Sequence, residues 1–323
     1  MRRAVTLLAA FAAPCAFAGA AKAQGYPLKS VRLIVPFPPG SATDAAARLV
    51  AAKLSDTLGQ SVVVDNRAGA SGNIGVELGA RAVADGYTLL IGTTSTHAVG
   101  PGTSRNLAYD PIRDFAPVSL IGSSPYVLAV HPSVSASNLR ELIALAKTKP
   151  GALRYASAGN TSLAHLAGEL FSGVAGVQLT HIPYKSSALA VVDLLAGRIE
   201  LQFGSIAPTL PHIRSNRLRA LAVTGATRIA ALPDTPTAIE SGLRGYEVTL
   251  WFGILAPART PVAIVARLNR DSVAAINTAD IREGLLAQGV QPGAGTPAAF
   301  AALIQSELAK WRSVAKTAGI EGD

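Results

Sequence analysis

The strongest constraint on how this chain folds is a unit that recurs along it. A short apolar run is followed by a loop of small, turn-forming residues, and then by an amphipathic stretch at helical spacing. Val31-Arg-Leu-Ile-Val35 reads as a strand, with Pro36-Phe-Pro-Pro-Gly-Ser-Ala-Thr-Asp44 as its loop. From residue 44 to 58, Ala47, Val50, Ala51, Leu54 and Leu58 share one helical face, and Gly59 ends the helix. Val62-Val-Val64 and Tyr87-Thr-Leu-Leu-Ile91 are the next strands. A helix between consecutive strands lets them lie parallel, and strands this apolar need cover on both faces. The pattern predicts parallel α/β layers.

The second half repeats the theme. Residues 119–130 read as extended with a Ser123-Ser-Pro125 break, and 139–148 as a helix closed by Pro150-Gly151. Leu153-Arg-Tyr-Ala156 is a strand feeding a helix over about 161–171, and 179–183, 199–203 and 218–224 are further strands. Thr260-Pro261 and Thr296-Pro297 each read as an N-cap followed by proline at the first helical position. No linker, low-complexity tract or charge block separates two beads. Two lobes joined by extended crossovers, near 119–130 and 247–255, fit better.

Residues 1–23 read as an export signal, with Arg2 and Arg3, an apolar run from residue 5 to 11, and Ala21-Lys22-Ala23 as a small-x-small cleavage site. Pro14 interrupts the run well short of the roughly 20 apolar residues a membrane span needs. Removal after Ala23 leaves a chain without cysteine, since Cys15 is the only one, which excludes disulfides, thiol catalysis and Cys-ligated zinc. It also takes three of the 29 basic residues, leaving 26 against 20 acidic ones. Those cations are scattered singly, without the basic runs and interleaved aromatics of a nucleic-acid surface. A mild positive field suits small anions.

Two loops share one build. In the first, Ser41-Ala-Thr-Asp44 resembles a capping box with Asp in place of Glu. The second is Tyr155-Ala-Ser-Ala-Gly-Asn-Thr-Ser162, again strand, small polar loop and helix start. Ligands of open α/β sheets lie beyond the carboxyl ends of strands, where helix N-termini present free N–H groups to anions. Either start alone is an ordinary cap; two in one exported chain point to binding of a carboxylate or phosphate. Thr93-Thr-Ser-Thr-His97 and Gly204-Ser205 follow strands in the same way and either line a cleft or are plain turns. Asn66-Arg-Ala-Gly-Ala-Ser-Gly-Asn73 lacks the Gly-Lys-Ser/Thr ending of a P-loop. Ser71 and Ser157 lack the glycines of a nucleophile elbow, and the five histidines show no metal spacing. His165 reads as a packed or capping residue. No catalytic set, metal or cofactor is expected.

The segments 36–44, Asn66-Arg-Ala-Gly-Ala-Ser-Gly-Asn-Ile-Gly75, 155–169, His181-Ile-Pro-Tyr-Lys185, 218–224, 232–237 and Trp251-Phe-Gly-Ile-Leu-Ala-Pro257 together resemble the Bug family. Its members are periplasmic receptors of tripartite tricarboxylate transporters. The resemblance implies a two-lobed, type II-like periplasmic-binding-protein fold, α/β throughout, each lobe a mainly parallel sheet flanked by helices. Residues 24–124 with 248–323 would form one lobe and 125–247 the other. It implies a small carboxylate held in the cleft, membrane transporter subunits as partners, no nucleic acid, a monomer, and no enzyme activity. The expected ligand-binding residues are Phe37, Gly40, Ser41, Ala42, Thr43 and Asp44; Thr94 and Ser95; Ser157, Ala158, Gly159, Asn160, Thr161 and Ser162; Tyr184; and Gly204 and Ser205. The first loop carries Ser41-Ala42 where the family is glycine-rich, and Gly204 stands where an Asp is common, which favours acids without an amino group. The competing reading is a secreted α/β hydrolase or isomerase acting on a small organic acid. On this view Ser162→Ala weakens binding and leaves the melting temperature of the empty protein unchanged.

Overall fold

A computed structural model describes residues 25–104, 106–185 and 187–320. The expected signal and its cleavage site lie outside these. The chain begins as read: β1 (Val31–Val35), α1 (Ala42–Leu58) and β2 (Val62–Asn66), with β2 parallel to β1. The glycine-rich loop then makes one 3-10 turn at Ala70–Gly72 and opens α2 (Asn73–Ala80), a helix the sequence reading passes over. Next come β3 (Thr88–Thr93), a π-helical turn at Ser95–Val99 and the short α3 (Gly100–Thr103). The strand β4 (Phe115–Val130) runs 16 residues without the expected break. Then follow α4 (Leu139–Thr148), β5 (Arg154–Ser157), α5 (Leu163–Ala175), β6 (Thr180–Pro183), α6 (Ser187–Leu195), β7 (Leu201–Ser205), α7 (Ile206–Arg214) and β8 (Arg219–Val223). The chain finishes with β9 (Thr249–Pro257), α8 (Val262–Ile276), α9 (Ala279–Ala287), β10 (Gln291–Pro292) and α10 (Pro297–Ala318).

β4 explains the architecture. Its first part pairs antiparallel with β9, ending at Pro125 opposite Thr249. From Tyr126 onward it pairs antiparallel with β7 on one side and β8 on the other. The Ser123-Ser-Pro125 signal thus marks where one strand passes from one sheet to another. The extended crossover expected near 119–130 is this strand, which runs through the Ser123-Ser-Pro125 segment unbroken. On the first side β9 leads to β3, and β3 to the parallel pair β1 and β2. On the second, β7, β5 and β6 are mutually parallel. The expected mainly parallel sheets are present, with β9 running against its neighbours in the first and β4 in the second.

This register aims four loops at one line. Tyr126 opposes Ser205 and Thr93 opposes Phe252, so β3 and β7 end beside the point where β4 changes sheets. β1 is parallel to β3, and β5 to β7, so they end there too. The loops after β1 and β3 therefore approach the junction from one sheet, and those after β5 and β7 from the other.

Burial follows the sequence pattern. β1 is wholly apolar inside apart from Arg32, and the α1 face named above is buried against it. Trp251 and Trp311 are among the largest fully buried side chains. The C-terminal helices return to the first sheet, where the Asn269 amide of α8 donates to the Val118 carbonyl of β4 at 2.8 Å. Gly168 on α5 admits the Tyr155 ring; a Cβ there would stand 2.3 Å from ring carbons.

Candidate functional site

At the start of α1, Ser41 is the N-cap, and its Oγ accepts the Asp44 N–H at 3.2 Å. The Ser41 N–H donates to the Pro38 carbonyl at 3.3 Å, closing the loop. The Asp44 carboxylate reaches back and accepts the Gly40 N–H at 2.9 Å. It also accepts Arg48 Nε at 3.0 Å and Asn66 Nδ2 at 2.8 Å. Asn66 Nδ2 donates as well to the Phe37 carbonyl, at 3.0 Å. Asp44 is only 3% exposed, so its charge is spent inside the loop. Burial alone would raise its pKa, yet the bonds from Arg48, Gly40 and Asn66 together hold it below the ordinary carboxylate value. What the helix offers outward is the N–H groups of Ala42 and Thr43, which have no intrahelical carbonyl to take them. The Phe37 ring packs near Gly72, where an added Cβ would lie 3.4 Å from its tip.

The start of α5 is built to the same plan. Ser162 is the N-cap, its Oγ accepts the His165 N–H at 3.2 Å, and its own N–H donates to the Gly159 carbonyl at 3.3 Å. His165 reaches back as Asp44 does, its Nδ1 accepting the Thr161 N–H at 3.1 Å. The N–H groups of Leu163 and Ala164 are the outward pair here. In both loops the residue before the cap has positive φ: Gly40 at 79° and Thr161 at 56°. Glycine adopts that conformation freely, whereas a β-branched residue there is strained.

Beneath the second loop is a cluster of side chains that no local sequence motif brings together. Ser157 Oγ and His181 Nε2 are 2.6 Å apart. The His181 ring stacks on His165 at 3.8 Å and 8°. His165 Nε2 lies 3.9 Å from Glu169, whose carboxylate accepts the Tyr155 hydroxyl at 2.7 Å. Burial pulls the His181 pKa down to about 4, with His165 adding to the shift. Burial also lowers His165, against the opposing pull of Glu169. Both imidazoles are neutral at pH 7. The i, i+4 spacing of His165 and Glu169 was readable. The Ser157–His181 contact comes from β5–β6 register, which sets Tyr155 opposite His181.

That Ser–His pair does not make a nucleophile. Ser157 is 2% exposed and its Oγ also donates to the Gly159 carbonyl at 2.9 Å. His181 stacks on a second imidazole where an orienting carboxylate would be needed.

The other expected residues divide. Thr94 is fully buried, its Oγ1 donating to the Thr249 carbonyl at 3.1 Å and accepting the Trp251 N–H at 2.9 Å, which ties β3 to β9. Ser95 opens the π-helical turn and is partly exposed. The Tyr184 hydroxyl donates to Asp193 at 2.8 Å, and its ring packs on Ala156, Ala190 and Ile199. Ser157, Ala158, Gly204 and Ser205 line one narrow recess with Gln202, of about 10 Å³, the room of a single water. The first-loop residues, Thr94 and Ser95 lie outside it. A Cβ on Gly204 would stand 2.7 Å from Gln202 Nε2, so an Asp at 204 requires that amide to move. A larger groove, about 320 Å³ with Lys149 and Glu200 in its wall, includes Leu153 just before β5. It sits at the amino end of that strand, away from the loops where α/β sheets bind ligands. Among the described residues no cluster of His, Cys, Asp or Glu is arranged to hold a metal ion, and no helix is long and apolar enough to cross a membrane.

The chain is similar to known proteins along nearly its whole length. The family model for the tripartite tricarboxylate transporter family receptor matches residues 46–320. Protein BugT of Bordetella pertussis (strain Tohama I) is 39% identical over 320 residues, covering 99% of this chain and 98% of BugT. Rpa4515 of R. palustris, solved with adipate, is 40% identical with a TM-score of 0.85, over 92% of this chain and 99% of that one. MatC of Rhodopseudomonas palustris, solved with bound malate, is 32% identical with a TM-score of 0.80, over 90% and 99%. These bear out the Bug resemblance and the two-lobed periplasmic-binding-protein fold. A match sustained from the first helix to the last, with the same fold in solved relatives, leaves one assignment: this chain belongs to the tripartite tricarboxylate transporter receptor family.

Proposed function

We propose that this chain is an exported receptor that holds a small dicarboxylate at the junction of its sheets and hands it to a tripartite membrane transporter. The observation that carries this reading is the matched pair of serine-capped helix starts, one per sheet, both aimed at the point where β4 changes partners. Each N-terminus carries roughly half a positive charge and two outward N–H groups. A carboxylate needs no cationic side chain there. The family works through small carboxylates in a periplasmic compartment, and relatives were solved with adipate and malate.

In this reading residues 24–124 with 248–323 are one lobe and 125–247 the other, and they close about β4 and β9. The signal is removed after Ala23, and the receptor acts as a monomer without turning its ligand over. Gly204 brings no carboxylate of its own to pair with an ammonium group, so acids lacking an amino group are preferred over amino acids.

Titration calorimetry with C4–C6 dicarboxylates, adipate first, tests the reading. The expected result is binding of at least one diacid, and thermal stabilisation of about 2.7 kcal/mol at a hundredfold excess over Kd. The matching diamide should bind far more weakly, because it removes charge and sets donors against donors. Equal affinity for acid and amide would reduce the two helix starts to plain caps. Conversion of the bound acid, followed by chromatography, would favour the hydrolase or isomerase.

A further inference from the structure

The second loop holds a strained residue and the group that restrains it. Thr161, with φ 56°, is β-branched in the left-handed region, a conformation that persists only where surroundings enforce it. Its N–H is taken by His165 Nδ1 at 3.1 Å, and its hydroxyl donates to the Asn160 carbonyl at 2.7 Å. An imidazole nitrogen that accepts a backbone N–H carries no proton, so the ring proton of neutral His165 sits on Nε2, toward Glu169. A second proton has only Nδ1 to go to. Protonated His165 would then set an N–H against the Thr161 N–H, and the bond is lost.

We propose that His165 is the positioning residue of the carboxylate loop: its neutral Nδ1 latches Thr161 in the left-handed conformation that aims the start of α5, and protonation of that nitrogen unlatches the loop and lowers affinity for the acid. This rests on the reading that residues 157–162 hold a carboxylate.

An imidazolium could instead attract the anion, so the surroundings decide. Glu169 faces the ring from α5 itself, 3.9 Å from Nε2, and offsets the new charge. From β6, His181 stacks on the ring and opposes a second positive charge. From β5, Tyr155 is bonded to Glu169 and Ser157 to His181. Tyr246 donates to the Ala167 carbonyl. The π-helical turn and α10 also pack on α5 and carry His97 and Glu307, Lys310, Arg312 and Lys316. Glu169 is the charge that acts on His165. The lost hydrogen bond therefore outweighs the gained charge.

Two measurements test the latch. In the ligand-free protein, ¹H–¹⁵N spectra follow the Thr161 amide and the His165 ring nitrogens from pH 8 to 5. The Thr161 resonance should shift in step with His165 protonation. In His165→Asn, which keeps a neutral acceptor that does not titrate, that step should vanish. Calorimetry with adipate over pH 7.5 to 5 then reads the consequence. The wild type should weaken by about tenfold, one hydrogen bond's worth, beyond the change seen in His165→Asn. The variant shares the ligand's own titration and so isolates the protein's part. A Thr161 amide indifferent to His165, or equal pH dependence of adipate binding in both proteins, would overturn the proposal. If adipate binds neither protein, the carboxylate reading fails for this diacid, and the wild-type spectra alone decide the latch. They also stand if His165→Asn does not fold.

Discussion

The two helix starts solve one problem with different chemistry. Each has a serine cap, a third residue reaching back to the N–H before the cap, and two free N–H groups beyond. At α1 the reaching group is Asp44, a permanent charge tied to Arg48 and Asn66, and the latched residue is a relaxed Gly40. At α5 it is neutral His165, resting on a stacked imidazole, and the latched residue is a strained Thr161. The first is fixed by charge and many partners. The second hangs on fewer bonds, and its key group titrates. A pair that looks symmetric in outline is one rigid wall and one adjustable wall.

Breaking the rigid side should have the largest effect. Asp44→Ala strands the Gly40 N–H, the Asn66 amide and Arg48, and should destabilise the protein by about 2–4 kcal/mol in urea unfolding. A loss below about 1 kcal/mol would mean that the α1 loop holds its shape by packing alone.

Acid should separate the two sides next. Histidines held neutral leave the unfolded chain binding more protons, so stability is full above the unfolded value near 6.5 and falls as pH drops toward the folded values. Those are about 4 for His181 and about 3 for the fully buried His97, with His165 also lowered. Buried His97 alone gives a slope of about 1.4 kcal/mol per pH unit in that window. Asp44 is lowered as well, and its share is lost only below the ordinary carboxylate range. Amide exchange at pH 5.5 should therefore show the α5 loop opening before the α1 loop. The reverse order would dissolve the contrast.

Removing the caps should make the two sides behave alike. Ser41→Ala and Ser162→Ala should each cost about 1 kcal/mol of stability. For Ser162 this replaces the expectation of an unchanged melting temperature, because its Oγ takes the His165 N–H. Thermal melts of both variants check it.

Relaxing the strained side is the smallest change. Thr161→Gly should alter stability by about 0.5–1 kcal/mol in the favourable direction, relief of the left-handed strain exceeding the added chain entropy. Its amide should also follow His165 less closely in the spectral titration. A destabilised Thr161→Gly would place the constraint in the threonine hydroxyl rather than the backbone.

Local chemistry was legible and pairing was not. Ser41 and Asp44 declare a capping box within four residues, and the α1 stripe from Ala47 to Leu58 declares its buried face. The alternation of strand and helix predicted β1, β2, β3 and β5 to within three residues at each end. Nothing local says that Asp44 spends its charge on Asn66, that Thr94 braces β9, or that Ser157 meets His181. Those depend on strands brought together from far along the chain. The helix α2 was missed because glycines at 69, 72 and 75 read as a loop. Two of them take positive φ, while Gly75 is helical and clears the Arg67 carbonyl, which a Cβ would approach to 2.6 Å.

The strand that changes sheets also sets an order of events in folding. β3 needs β9 beside it, with Leu90 opposite Leu255, and β9 is made only after the whole of the second sheet. The second sheet, from β4's latter part to β8, is contiguous in the chain and can collapse by itself. The first remains an open-edged half until the last third of the polypeptide is available. Pairings so distant in sequence are slow to form. A nascent chain stopped before residue 249 should thus carry one finished half and one with β3 exposed as a sticky edge. The protein's slowest folding step should be the docking of a single late strand between β3 and β4.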